Sequence, residues 1–470
     1  MPDEKPDFCQ ANTPDDTVHT KASPILRIPP ELLSEIFSRC LPEDGLPRPH
    51  PNEAPLLPCQ ICSFFRTVAL SSPNLWAGIS IIRNTERNGD ALTLDLWIKR
   101  SGSCPLSFSL EYRGAAFNID KLIDSLAPYS SRWKDVTVGF ARDLVLPNFI
   151  QAMSRGPSAL EKLTIKSTET DKFVGFLAGR STGTPTILNV SLANSLTEIT
   201  IEIQMNFQLD FCSAVLNSVK EISIISHTWI WIYAHRIFHC LEHCPAVAKF
   251  ACEGKLIDVS GLENVKPLTL PFLEQFHINA GNWNPHAIFD KLCLPGLLNL
   301  SFGCSGGSNV RTGIQSITYM LKRSCALVEI LSITGLRLDQ FVNPNVLIDC
   351  LEQAPRLKNF KCDFRMDLVA QVLTLTSTSQ LCLELESVTL FGDMETDLPV
   401  LGEMIFSRWC IPLSDEGFDL GLGGGHRLAK VMIRGDVKRK QCLKIPAIAL
   451  CVAEGLELHC DPRHSINNLL

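Results

Sequence analysis

The chain is short of several things, and each shortage excludes a class of function. It has no apolar run long enough to span a bilayer, and its first 20 residues carry Asp3, Glu4, Asp7, Asp15 and Asp16 instead of the apolar stretch of a secretory signal. An intracellular protein, in cytoplasm or nucleus, is expected. Basic clusters are scarce: Lys438-Arg439-Lys440 is the most basic short run, and 43 basic against 50 acidic residues leave a net charge of −7. No nucleic-acid surface and no membrane partner are expected from that balance. Cys59-Gln60-Ile61-Cys62 has no second Cys-x-x-Cys at zinc spacing, so the 19 cysteines read as reduced, small apolar side chains. Hydrolase elbows, zinc-protease helices and kinase signatures are missing. The glycine-rich Gly421 to Gly425 lacks the Lys and Ser/Thr of a phosphate loop. No catalytic residue, cofactor or metal is expected.

What is present begins near the N-terminus. Residues 1–22 are polar and aperiodic and read as a disordered tail. Pro29-Pro30 then opens a helix, since proline's missing N–H is not needed in a first turn. Leu32, Leu33, Ile36, Phe37 and Cys40 make one apolar stripe along it. A Pro-rich loop from Leu41 to Pro55 follows. Leu57, Ile61, Phe64, Phe65 and Val68 form a second stripe at helical spacing, and a short turn presents Leu75 and Trp76. Some 50 residues with this much apolar surface either pack on the rest of the chain or fill a partner's groove.

Beyond residue 80 the pattern apolar-x-x-apolar-x-apolar recurs nine times, at intervals of 23 to 36 residues: Leu160-Leu163-Ile165, Leu196-Ile199-Ile201, Val219-Ile222-Ile224, Val247-Phe250-Cys252, Leu273-Phe276-Ile278, Leu297-Leu300-Phe302, Val328-Leu331-Ile333, Leu357-Phe360-Cys362 and Leu385-Val388-Leu390. The last two apolar positions alternate with polar ones, as in a half-buried strand. Helices are predicted between strands, as over Trp229 to Cys244 and Val346 to Ala354. Strand plus helix at this period is the leucine-rich-repeat plan, whose stacked product is a solenoid with parallel strands on its concave face. The usual Asn after the strand is replaced by Thr168, Gln204, His227 and Gly281, so an irregular solenoid is expected. Lys430-Val431-Met432-Ile433 and Leu456-Glu457-Leu458 read as late strands that cap its end.

The alternation also predicts which side chains line the concave face. They are Lys162 and Thr164, Glu198 and Thr200, Glu221 and Ser223, Gln275 and His277, Asn299 and Ser301, and Asn359 and Lys361. This small, polar lining of mixed charge suits a target protein better than a phosphate cluster. His235, His239 and His243 share one helix face at i, i+4, i+8 and offer a rival zinc site. Ile230, Ala234, Ile237 and Leu241 form the opposite stripe, which would put the histidines on the solvated side.

The N-terminal pieces resemble the F-box, in the version with an inserted loop found in large families of mushroom-forming fungi. Ile28-Pro29 matches the family's Leu-Pro start, and Glu31-Leu32-Leu33 with Ile36-Phe37 its first helix. Ile61-Cys62 with Phe65-Arg66 match Val-Cys-x-x-Trp-Arg, and Leu75-Trp76 the closing Leu-Trp. Ile28 and Phe65 depart from the pattern but stay apolar. The resemblance implies an α+β chain: a small three-helix F-box over 23–80, then a leucine-rich-repeat solenoid with a C-terminal cap over 81–470. It implies docking of a Skp-type adaptor, and through it cullin and RING subunits, by Ile28, Pro29, Leu32, Leu33, Ile36, Phe37, Leu57, Ile61, Phe65, Leu75 and Trp76. The implied function is that of the substrate receptor in an SCF-type ubiquitin ligase, holding an unidentified target for ubiquitin-dependent degradation. A ligase-independent repeat scaffold is the alternative.

Overall fold

A computed structural model describes residues 24–83, 89–112, 119–140, 147–167, 186–203, 207–226, 231–254, 256–258, 260–280, 286–304, 310–334, 343–377, 379–392, 397–409 and 427–461. The tail over 1–22, the four positions at 168, 204, 227 and 281, and the glycine-rich stretch over 421–425 lie outside the described residues.

Alternating apolar residues put fourteen strands into one parallel sheet whose spatial order follows the chain. They are β1 (Gly78–Arg83), β2 (Leu106–Tyr112), β3 (Trp133–Phe140), β4 (Lys162–Ser167), β5 (Glu198–Ile203), β6 (Glu221–Ser226), β7 (Lys249–Gly254), β8 (Gln275–Ala280), β9 (Asn299–Cys304), β10 (Ile330–Thr334), β11 (Asn359–Arg365), β12 (Ser387–Phe391), β13 (Lys430–Arg434) and β14 (Glu457–Asp461). Strands in chain order, each beside its predecessor, give the quasi-one-dimensional stacking of a solenoid. All nine sequence repeats are strands of this sheet, in register. Leu163, Ile199, Ile222, Phe250, Phe276, Leu300, Leu331, Phe360 and Val388 form one cross-strand row of buried side chains.

The row extends further than the nine repeats. Ile79, Phe108 and Val136 continue it backwards, and Val431 and Leu458 forwards. Three strands before residue 160 thus join those predicted. The signal of two of them is in the chain: Trp76-x-x-Ile79-x-Ile81 and Trp133-x-x-Val136-x-Val138 repeat the pattern with tryptophan at its first position, while β2 has Pro105 there. Both tryptophans are fully buried. The boundary drawn at 80 falls inside β1.

Helices form the second layer: α1 (Pro30–Arg39), α2 (Pro58–Ile61), α3 (Ser63–Leu70), α4 (Asp90–Arg100), α5 (Asp120–Leu126), α6 (Pro147–Ser154), α7 (Ala234–His243), α8 (His286–Phe289), α9 (Val310–Ser324), α10 (Pro344–Glu352), α11 (Met366–Leu373), α12 (Leu398–Trp409), α13 (Arg439–Cys442) and α14 (Pro446–Ala453). Their apolar faces share one core with the sheet. The helix predicted from Trp229 begins later, at Ala234, because Trp231–Tyr233 is an extended segment paired with Leu256–Asp258. Similarly, α10 runs from Pro344 to Glu352, with Asn343 capping it through the Asn345 N–H.

Two devices hold successive units together. Glu161 N–H donates to Lys134 O at 2.7 Å, Thr197 to Glu161 at 2.7 Å, and Lys220 to Thr197 at 2.8 Å. The relay passes through Ala248, Glu274, Leu298, Glu329, Lys358, Glu386 and Ala429 to Glu457. The second device is arginine. Arg132, Arg323 and Arg408 each reach back to the preceding unit's carbonyls. Arg408 is buried and donates to Leu373 O, Cys382 O and Leu381 O at 2.7 to 2.8 Å, which satisfies three acceptors at once. Burial lowers its pKa to about 10, so the guanidinium stays charged at neutral pH.

Candidate docking groove and open sheet face

The N-terminal module packs on β1, the first edge of the sheet. From the loop predicted between Leu41 and Pro55, Pro47 O accepts the Ser80 N–H at 2.8 Å and so pairs part of that edge. The approach is close over Gly78: a Cβ there would meet Leu46 Cδ2 at 3.2 Å and Pro47 Cδ at 3.3 Å. The turn before β1 is tied on both sides. Trp76 Nε1 donates to Ala69 O at 2.8 Å, its ring meets Trp97 edge-on at 4.7 Å, and Arg100 stacks 4.4 Å from its centroid.

The second amphipathic segment is two helices, not one. Cys62 is extended (φ −158°, ψ 170°), and its sulfur accepts the Phe65 N–H at the start of α3. Arg66 spans the break, donating from Nε to Cys59 O at 2.7 Å. The break turns Leu57 and Ile61 away from Phe65 and Val68.

The eleven residues assigned to docking therefore divide. Leu33, Phe37, Phe65, Leu75 and Trp76 are buried, with Phe37 and Phe65 in edge contact at 5.3 Å. Leu75 and Trp76 are not presented by their turn, and Phe37 and Phe65, 4 and 5 % exposed, are the two of the five that also line the groove below. All five belong to the module's own core, because the face of α1 that carries Leu33 and Phe37 turns toward α3. Pro29 is exposed, and Ile28 is half-buried against the core. Leu32, Ile36, Leu57 and Ile61 are 57, 45, 44 and 61 % exposed. Ile36, Leu57 and Ile61, with Cys40, Leu46 and Ile82, help line a groove of about 760 Å3 between α1, the loop, α2 and the sheet edge. Arg48 and Glu53 pair at its rim, Nε to Oε2, at 3.1 Å.

The open face of the sheet holds all twelve residues expected there, in two rows. Lys162, Glu198, Glu221, Gln275, Asn299 and Asn359 fall on one cross-strand line. Thr164, Thr200, Ser223, His277, Ser301 and Lys361 fall on the next. Alternation carried further adds Ser80, Ser109 and Thr137 at one end and Thr389, Met432 and His459 at the other. Charges on this face pair between neighbouring strands: Lys162 lies 2.8 Å from Glu198 and Lys249 3.6 Å from Glu221. His277 Nε2 stands 3.1 Å from Glu253. The pair with Glu198 holds the Lys162 ammonium above its ordinary pKa. Asp135 at the head of the row is pushed up by burial, against the pull of Lys162. Lys361 is held down by burial and then by Arg434. Mutual pairing makes the face a mosaic of hydrogen-bonding groups rather than a single-sign field.

The histidine row is not wholly on the solvated side. His235 is exposed, but His239 and His243 are half-buried around Phe211, with His243 stacked on its ring at 5.2 Å. His243 Nδ1–H donates to Ala214 O at 2.6 Å, which fixes its tautomer. Burial, and then His243, lowers the pKa of His239. Among the described residues no group of three or more His, Cys, Asp or Glu is placed to hold a metal ion. No described helix is long and apolar enough to cross a membrane.

No protein-family model and no curated protein matches the chain.

Proposed function

We propose that the chain is a substrate-recognition subunit of an SCF-type cullin-RING ubiquitin ligase, an F-box protein with irregular leucine-rich repeats, acting in cytoplasm or nucleus. In this reading Leu32, Ile36, Leu57 and Ile61, with Pro29, dock a Skp-type adaptor that brings cullin and RING subunits. The open sheet face holds the target protein. The chain has no catalytic role of its own; it raises the local concentration of target lysines near a charged conjugating enzyme.

One observation carries the proposal: four large apolar side chains stand exposed together on the outside of the N-terminal module. A module that only closed the solenoid would have a polar outer face. Apolar side chains that cluster beside a groove are the anchors by which helical docking modules bind. The F-box resemblance supplies the identity of the occupant.

The hydrogen bond from Ser80 to Pro47 and the packing over Gly78 favour a second reading, in which the module is an end cap of a ligase-independent scaffold. Co-purification separates the two. Full-length protein with Leu32→Asp and Ile36→Asp should stay folded by circular dichroism and lose a Skp-type adaptor from pull-downs. Retention of adaptor by that folded double variant, or its absence from wild-type pull-downs, would sink the proposal.

A further inference from the structure

The last strand of the sheet carries a feature that neither docking nor target binding uses. Cys460, near the end of β14, points back toward the helical layer, where its sulfur lies 3.8 Å from that of Cys442 at the end of α13. Cys442 is buried and Cys460 half-buried, so solvent reaches the pair from the Cys460 side. Their separation of 18 residues includes all of α14. On the opposite side of β14, Glu457 and His459 face outward. Being the last strand, β14 is bonded to β13 on one side within the sheet.

We propose that Cys442 and Cys460 form a reversible disulfide, driven by hydrogen peroxide, that locks the sheet's last strand to α13. The two sulfurs are already in contact, the approach that a disulfide between them requires. The division of labour follows from the geometry. Solvent reaches Cys460 rather than the buried Cys442, so peroxide meets that sulfur first, and Arg439 stands near both. Contact with Cys442 lowers the pKa of Cys460, while contact with Cys460 and burial raise that of Cys442.

The Cys460 thiolate attacks one oxygen of hydrogen peroxide, forming a sulfur–oxygen bond as the oxygen–oxygen bond breaks and hydroxide leaves. The Cys442 sulfur then displaces that oxygen. The S–S bond forms, the Cys442 proton leaves with the hydroxyl as water, and both sulfurs have each lost one electron to the peroxide. A thiol reductant reverses the change.

The test uses the full-length chain. After brief peroxide treatment and blocking of free thiols, peptide mapping should show Cys442 joined to Cys460 in most molecules, with the link lost on treatment with dithiothreitol. In Cys442→Ser, the hydroxyl replaces the thiol in size, and Cys460 should accumulate as sulfenic acid trapped by dimedone, several-fold above wild type. Three results would each overturn the proposal: both cysteines still free after peroxide, Cys460 linked to a different cysteine, or no gain of dimedone adduct in Cys442→Ser.

Discussion

The two ends of the sheet are closed in different ways. At the C-terminal end α14 packs inward through Ile448 and Cys451, and β14 turns Glu457 and His459 to solvent. Leu450, with Phe406 on α12 beside it, is a large apolar side chain left exposed at that end. This is what a solenoid cap requires, apolar within and polar without. The N-terminal end is equally apolar within, through Leu33, Phe37, Phe65 and Trp76, but it is apolar outside as well. Leu32 and Leu33 are chain neighbours with opposite fates. Under the proposed function, this apolar outer face is where the adaptor docks.

The comparison breaks first at Trp76. Trp76→Ala should cost about 3–5 kcal/mol of stability, because it empties a fully buried site and removes the bond to Ala69 and the contact with Trp97. Urea unfolding followed by tryptophan fluorescence would measure it, and a loss below about 1 kcal/mol would mean that the inner face does not hold the module.

Toward the other end, Arg408→Met should cost about 3 kcal/mol, since it leaves three carbonyl acceptors unpaired. Arg427→Met lies close by but has an exposed side chain, and it should cost well under that, about 1 kcal/mol or less. Equal effects of the two would contradict the anchoring role given to buried arginine.

The outer face sharpens the contrast. Leu32→Asp with Ile36→Asp should move stability by no more than about 0.5 kcal/mol, whereas Leu33→Asp, which buries an unpaired charge, should unfold the module. Proteolysis at the N-terminal end would tell the two apart.

The smallest effect lies on the open face. Burial raises the pKa of Asp135, so its protonated form is favoured in the folded state. The stability this group contributes is full below the ordinary carboxylate range and is lost as pH rises through its raised folded value. At pH 7 the ionised side chain is a net cost. Asp135→Asn should therefore stabilise by a few tenths of a kcal/mol at neutral pH, a figure held low by solvent screening, and the gain should vanish in acid. A gain that persists or grows in acid would assign the effect to something other than this carboxyl.

Much of the sheet was legible because a strand half-buried against helices writes its burial as alternation. Leu163-x-Ile165 and its eight successors needed no structure to find, and the outward Lys162 and Thr164 followed from the same period. Of the first three strands, β1 and β3 escaped because tryptophan at 76 and 133 replaced the aliphatic residue that opens the other repeats, and β2 has Pro105 at that position. The turn expected to present Trp76 buries it instead. The split at Cys62 left no sequence mark either, since Leu57, Ile61, Phe65 and Val68 keep helical spacing across a residue whose backbone is extended. The contact between Cys442 and Cys460 was equally hidden, because periodicity speaks of faces within an element and not of which elements meet.

The sequence by itself determined most of the parallel strands, which of their side chains face out, and the presence of two apolar stripes near the N-terminus. Each is a local consequence of where apolar side chains recur. Only the tertiary structure decided that Leu33 and Phe37 face inward while Leu32 and Ile36 face out. A helix stripe about 100° wide can bury either half, and the choice was made by the aromatic core of Phe65 and Trp76 against which the helix came to rest.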